Sequence, residues 1–139
     1  NEQLRLSRGA EEMINFFKTI NVKTAVISGG LSYFARRIQD RLVLDNYRAN
    51  NVEIVDGCLT GNVTGKVIDA TEKARYIHEL CAQYGFQENQ VIAIGDGAND
   101  LEMMKIAGIS VAYHAKPLLR KNCEVVINYG GLDKIIDFF

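Results

Sequence analysis

The chain has 139 residues, 47% apolar and 24% charged, with 16 Lys and Arg against 17 Asp and Glu for a net charge of −1. That balance suits a globular chain of one-domain size, large enough to bury a core. Its cationic residues form no basic stripe for nucleic acid or an anionic membrane surface, and no apolar run approaches the ~18 residues of a membrane helix. Cys58, Cys81 and Cys123 are odd in number and lack disulfide or metal spacing. Cys81 falls in an apolar helical pattern as a small core residue, and a reducing, cytoplasmic setting is expected.

Met13, Ile14, Phe16, Phe17 and Ile20 recur at helical spacing and predict an amphipathic helix over 9–20. Thr24–Ile27 reads as a short strand ending at the turn Ser28-Gly29-Gly30, followed by a helix through Tyr33, Phe34, Ile38 and Leu42. The stretch from Val52 to Val63 alternates loosely around turn residues and predicts a β-hairpin. Asp69 with Glu72 resembles a capping box opening a helix through Ile77, Leu80, Cys81 and Tyr84, closed by Gly85. Val91–Ile94 is a run of apolar residues expected as a buried strand, and Leu101, Met103, Met104, Ile106 and Ala107 then continue as a helix. Strand 109–113, a short helix from Pro117, strand 124–127 and a terminal helix through Leu132, Ile135, Ile136 and Phe139 complete the chain. Strands alternating with helices predict an α/β fold: a doubly wound, mostly parallel sheet with a small hairpin.

Three stretches carry chemistry. Asp96 and Asp100 fall at the carboxyl end of a strand, beside a helix N-terminus, where open α/β sheets place ligands. Their carboxylates, with Asn99 between them, suit Mg²⁺, although Asp, Gly and Asn are also common turn formers. Ser28 with the amides of Gly29 and Gly30 suits an anion, or an ordinary turn. Lys73, in the first turn of the Asp69-capped helix, is disfavoured by the helix dipole by roughly 0.3–1 kcal/mol. From the residues alone it reads as a solvated lysine softened by Glu72 and Asp69, with contact to a phosphoryl group the competing reading.

Taken together, Ile27-Ser28-Gly29-Gly30, Asp69-Ala70-Thr71-Glu72-Lys73-Ala74 and Gly95-Asp96-Gly97-Ala98-Asn99-Asp100 resemble motifs two to four of the haloacid-dehalogenase superfamily, in order and rough spacing. Val55-Asp56-Gly57, Leu59-Thr60-Gly61 and Ala112–Pro117 resemble its phosphoserine-hydrolysing branch, and the likeness spans the whole chain, 1–139, as the C-terminal portion of the core domain. The resemblance implies Mg²⁺-dependent hydrolysis of a small phosphorylated metabolite through a phosphoaspartyl intermediate, with L-phosphoserine giving L-serine and phosphate. It assigns phosphate and substrate binding to Ser28, Gly29, Lys73 and Asn99. Catalytic roles go to Lys73 and Asp100, and the metal to Asp96 with Asp100 behind it. It asks no acid–base role of His114, which reads as a loop residue.

The superfamily's first motif places a nucleophilic aspartate two residues before a second aspartate, and no Asp-x-Asp occurs here. The resemblance implies a core lacking its central nucleophile strand, so that these residues alone are expected to be inactive. An N-terminal segment or a second chain is expected to complete the sheet. Competing readings are a superfamily phosphatase for another small phosphomonoester, the phosphorylation domain of a P-type ATPase, and a catalytically dead module binding Mg²⁺ or phosphate.

Overall fold

The computed structural model describes residues 6–65 and 67–139, which pack as two compact units: one holds the described residues up to Ile68 together with Gly131–Phe139, the other Asp69–Gly130. No described helix is long and apolar enough to cross a membrane.

In the first unit, helix α1 (Ala10–Thr19) buries Ala10, Met13, Ile14 and Phe17, a single stripe at i, i+3, i+4 and i+7. Phe17 meets Phe139 edge-on, with ring centroids 5.5 Å apart, and the Leu132 N–H donates to the Arg8 carbonyl at 2.7 Å. These contacts seat the C-terminal segment Leu132–Phe138 on α1 as a 3₁₀-helix. Residues three apart share a side in both 3₁₀- and α-helices, so the apolar spacing does not distinguish them.

Strand β1 (Ala25–Leu31), helix α2 (Ser32–Leu42) and strand β2 (Asn46–Val55) form a parallel crossover unit. The Asp45 carboxylate accepts from the Thr24 N–H at 2.8 Å, and the Thr24 carbonyl accepts from Asp45 and Asn46 at 3.0 and 3.1 Å. The two strands therefore start locked together. β2 then turns back through Asp56-Gly57 into antiparallel β3 (Cys58–Thr64). Both turn residues have positive φ, 52° and 78°, the conformation that lets a two-residue hairpin follow the strand twist. Gly57 takes it without strain, and an aspartate tolerates it better than most side chains.

The second unit opens with helix α3 (Ala70–Tyr84). The Asp69 carboxylate accepts from the Glu72 N–H at 2.9 Å, and Gly85 ends the helix. Strand β4 (Ile92–Gly95) leads through a 3₁₀ turn (Ala98–Asp100) into helix α4 (Leu101–Ile106). Then come strand β5 (Ile109–Tyr113), helix α5 (Pro117–Asn122, proline at its start) and strand β6 (Val125–Ile127). The strands run parallel in the order β4-β5-β6. Ala93, Met103, Met104, Val111, Ala112, Leu119 and Ile127 are among the buried apolar residues of this unit.

One expectation changes. The Ser28–Gly30 stretch is not a turn after the strand, because β1 runs on to Leu31 through an irregularity in its pairing with β2. The strands carrying Ser28 and leading to Asp96 belong to two separate three-stranded sheets, with β1 the end strand of one and β4 of the other.

Candidate functional site

At the end of β4 the chain must pass very close to a carboxylate. A Cβ on Gly95 would lie 2.6 Å from Asp100 Oδ2 and 2.7 Å from Asp100 Cβ, so only glycine leaves that side chain its place. Asp100 Oδ2 accepts from the N–H groups of Asp96 and Gly97 at 3.2 and 3.4 Å, folding the loop back on itself. Its other oxygen, Oδ1, accepts from Lys73 Nζ at 2.7 Å. Lys73 and Asp100 are only 5% and 6% exposed, so this is a buried ion pair.

The pairing explains a cation in the first turn of α3. Its partner carboxylate opposes the unfavourable dipole, and Asp100 in turn has both oxygens satisfied. The solvated-lysine reading of Lys73 is therefore corrected by burial. Glu72, also buried, is held by its neighbour Arg75, whose Nη2 donates to Glu72 Oε1 at 2.7 Å and whose guanidinium is raised above its ordinary pKa by that hydrogen bond and charge. Glu72 therefore has its own guanidinium partner beside the Lys73–Asp100 pair.

Asp96 differs from Asp100 in every respect that matters for a ligand. It is exposed, and among the described residues its carboxylate has no hydrogen-bond or ion-pair partner. Its backbone is fixed at both ends: the N–H on Asp100, and the carbonyl accepting from the Lys116 N–H at 3.1 Å. Among the described residues no three His, Cys, Asp or Glu side chains gather as a protein-only metal cage. A single carboxylate on a backbone held at both ends suits Mg²⁺ better than such a cage, because that ion keeps several waters. Asn99 is also exposed on the same turn.

His114 is engaged elsewhere. Its ring stacks on Tyr113 at 4.2 Å and its Nε2 lies 2.9 Å from the Gly130 carbonyl. Burial pushes the Cys81 and Cys123 thiols above their ordinary pKa, so neither is set up as a thiolate nucleophile.

In the first unit, the Ser28 Oγ accepts from the Gly30 N–H at 2.9 Å, which leaves the hydroxyl proton free to donate. Gly29 is exposed, and its carbonyl accepts from Asn50 Nδ2 at 2.7 Å. The sequence reading does not mark Asn50, a polar residue inside a strand, because its role is set by the neighbouring strand and no local signal shows it.

A parallel α/β sheet with carboxylates at a strand's carboxyl end defines the open α/β class of ligand-binding proteins. Residues 61–134 match the haloacid dehalogenase-like hydrolases, and the chain belongs to that family. It is 45% identical to a phosphoserine phosphatase of Polaromonas sp. (strain JS666), over 97% of this chain and 59% of that protein. The chain thus spans about three fifths of the length of that relative. Among solved structures, a probable phosphoserine phosphatase from Vibrio cholerae superposes with a TM-score of 0.90 at 38% identity, covering 96% of this chain and 41% of that one. A phosphoserine phosphatase captured as a phospho-aspartyl intermediate analogue gives 0.92 at 34% identity, covering 97% and 65%.

Proposed function

We propose that the protein carrying this chain hydrolyses a small phosphomonoester, L-phosphoserine, to L-serine and phosphate with Mg²⁺ and through a phosphoaspartyl intermediate. The carrying observation is the division of labour in the Gly95–Asp100 loop, where one carboxylate is wholly committed and its neighbour Asp96 is held rigid with its oxygens free. The named relatives support the substrate, and the phospho-aspartyl structure supports the covalent route.

Asp96 would hold the Mg²⁺, with Asp100 behind it fixing the loop. When bound, the ion would neutralise charge on phosphoryl oxygens. Lys73, held by Asp100, would place a cation against the charge that spreads over the transferring phosphoryl group. The Ser28 hydroxyl and the Gly29 amide would donate to phosphate oxygens, and Asn99 would orient substrate or water. Each assignment rests on the geometry of its own unit. The whole chain is then the C-terminal portion of a haloacid-dehalogenase-like core. In this reading the nucleophilic aspartate would come from an Asp-x-Asp motif, which these 139 residues do not contain. The setting is cytoplasmic.

The test is phosphate release from L-phosphoserine with and without Mg²⁺, by the 139-residue chain and by the protein bearing it together with an Asp-x-Asp segment. Metal-dependent turnover by the latter alone is expected. Turnover by the 139 residues, or no hydrolysis of any phosphomonoester by the longer protein, would overturn the reading.

A further inference from the structure

The first sheet carries a local defect at the segment assigned to phosphate. Its pairing runs Ile27 with Arg48 and then Leu31 with Asn50, so β1 advances four residues while β2 advances two. Ser28, Gly29 and Gly30 bulge out of the ladder, and a bulge breaks the regular exchange of backbone hydrogen bonds. Asn50 answers this with its side chain. Its Nδ2 donates to the Gly29 carbonyl at 2.7 Å, and its Oδ1 accepts from the Ile68 N–H at 2.7 Å. Asn50 is 8% exposed, and only one orientation of its amide satisfies both partners.

The Gly29 carbonyl and the Gly30 N–H belong to one planar peptide. Asn50 holds the oxygen end and Ser28 Oγ holds the N–H end, at 2.9 Å. A peptide between two glycines is otherwise among the easiest to rotate, because neither residue has a Cβ to oppose the change. Fixing that plane also fixes the direction from which Ser28 Oγ accepts, which narrows the torsions left to its proton. We propose that Asn50 is a positioning residue: by clamping the Gly29–Gly30 peptide it sets the Ser28 hydroxyl and the adjoining Gly29 amide for an oxyanion. This rests on the phosphate assignment of Ser28 and Gly29 made above.

Asn50→Asp tests it with almost no change of shape. The carboxylate still accepts from Ile68 but has nothing to donate to the Gly29 carbonyl. Protonated, it donates again, and that hydrogen bond raises its pKa above the ordinary carboxylate value. Inorganic phosphate is titrated into the protein at pH 7.5 and pH 5, following the Gly29 and Gly30 amide resonances, each variant being referred to the wild type at the same pH. The expected result is at least tenfold weaker binding by Asn50→Asp at pH 7.5, recovering to within about threefold at pH 5. The variant's melting temperature should fall at pH 7.5, where the ionised carboxylate is buried against the Gly29 carbonyl, and return toward the wild-type value at pH 5, so affinity is read on the folded protein at each pH. Should that variant not fold, Asn50→Ser, too short to span both partners, carries the same tenfold expectation at both pH values. Wild-type affinity in the variant at pH 7.5, or an equal deficit at both pH values for Asn50→Asp, would overturn the role of Asn50 while leaving the phosphate assignment standing. Absence of any phosphate response in the wild type would overturn that assignment, and this inference with it.

Discussion

At Ser28–Gly30 every fixing contact joins neutral dipoles: a hydroxyl, a side-chain amide and the peptide between two glycines. At Gly95–Asp100 the fixing contacts converge on one buried carboxylate, which takes an ammonium on one oxygen and two loop amides on the other. A neutral clamp sets direction and adds only the modest net stability of ordinary hydrogen bonds, about 1 kcal/mol each. A buried charge ties loop geometry to the stability of the unit, because neither partner tolerates loss of the other. Variants of the second loop should therefore lose stability along with function, whereas neutral variants of the first should lose function at a smaller cost in stability.

The largest effect should follow removal of the Lys73 ammonium. Lys73→Ala leaves Asp100 charged and buried, at a cost of about 3–5 kcal/mol in denaturant unfolding, together with a fall of orders of magnitude in kcat. The double variant Lys73→Met/Asp100→Asn should recover much of the stability and none of the turnover. If only KM for substrate changed in Lys73→Ala, the transition-state role given to this lysine would be wrong. Gly95→Ala comes next. Its methyl must displace Asp100, so roughly 1–3 kcal/mol should be lost on the same unfolding curves. Asp69→Ala removes the N-cap of α3 and should lower stability by about 1 kcal/mol.

The smallest expected effect depends on pH. A hydrogen bond from His78, 2.8 Å away, holds the Glu88 carboxyl below its ordinary value of 4.5. A depressed folded pKa means this stabilisation is complete above about pH 4.5 and lost as pH falls through the lowered value. Melting temperatures of Glu88→Gln and wild type should therefore differ slightly at pH 6 and converge in acid. A gap that widens in acid would contradict the pairing.

Helix α3 was legible because its end signals are local: Asp69 caps the N–H three residues on, and Gly85 stops the last turn. The hairpin showed in its loose alternation around turn residues, with Asp56-Gly57 at its tip. The extent of β1 did not show, since Ser-Gly-Gly has turn chemistry and only pairing with β2 carries the strand on to Leu31. Nor did the burial of Lys73. Its partner lies 27 residues away, beyond any pattern of spacing, and on composition alone an ammonium in a first helical turn belongs in water. Asn50 was hidden for the same reason, being defined by a bulge on the neighbouring strand.

The claim that organises the second unit is that Asp96 and Asp100, four residues apart, do different work. Mg²⁺ titration of wild type and Asp96→Asn, read as the shift in melting temperature, addresses it directly. Asp96→Asn should melt with the wild type in the absence of metal, because the exposed Asp96 carboxylate supports nothing, and should lose the saturable Mg²⁺-induced rise. An Asp96→Asn protein that is stabilised by Mg²⁺ as fully as the wild type would contradict it.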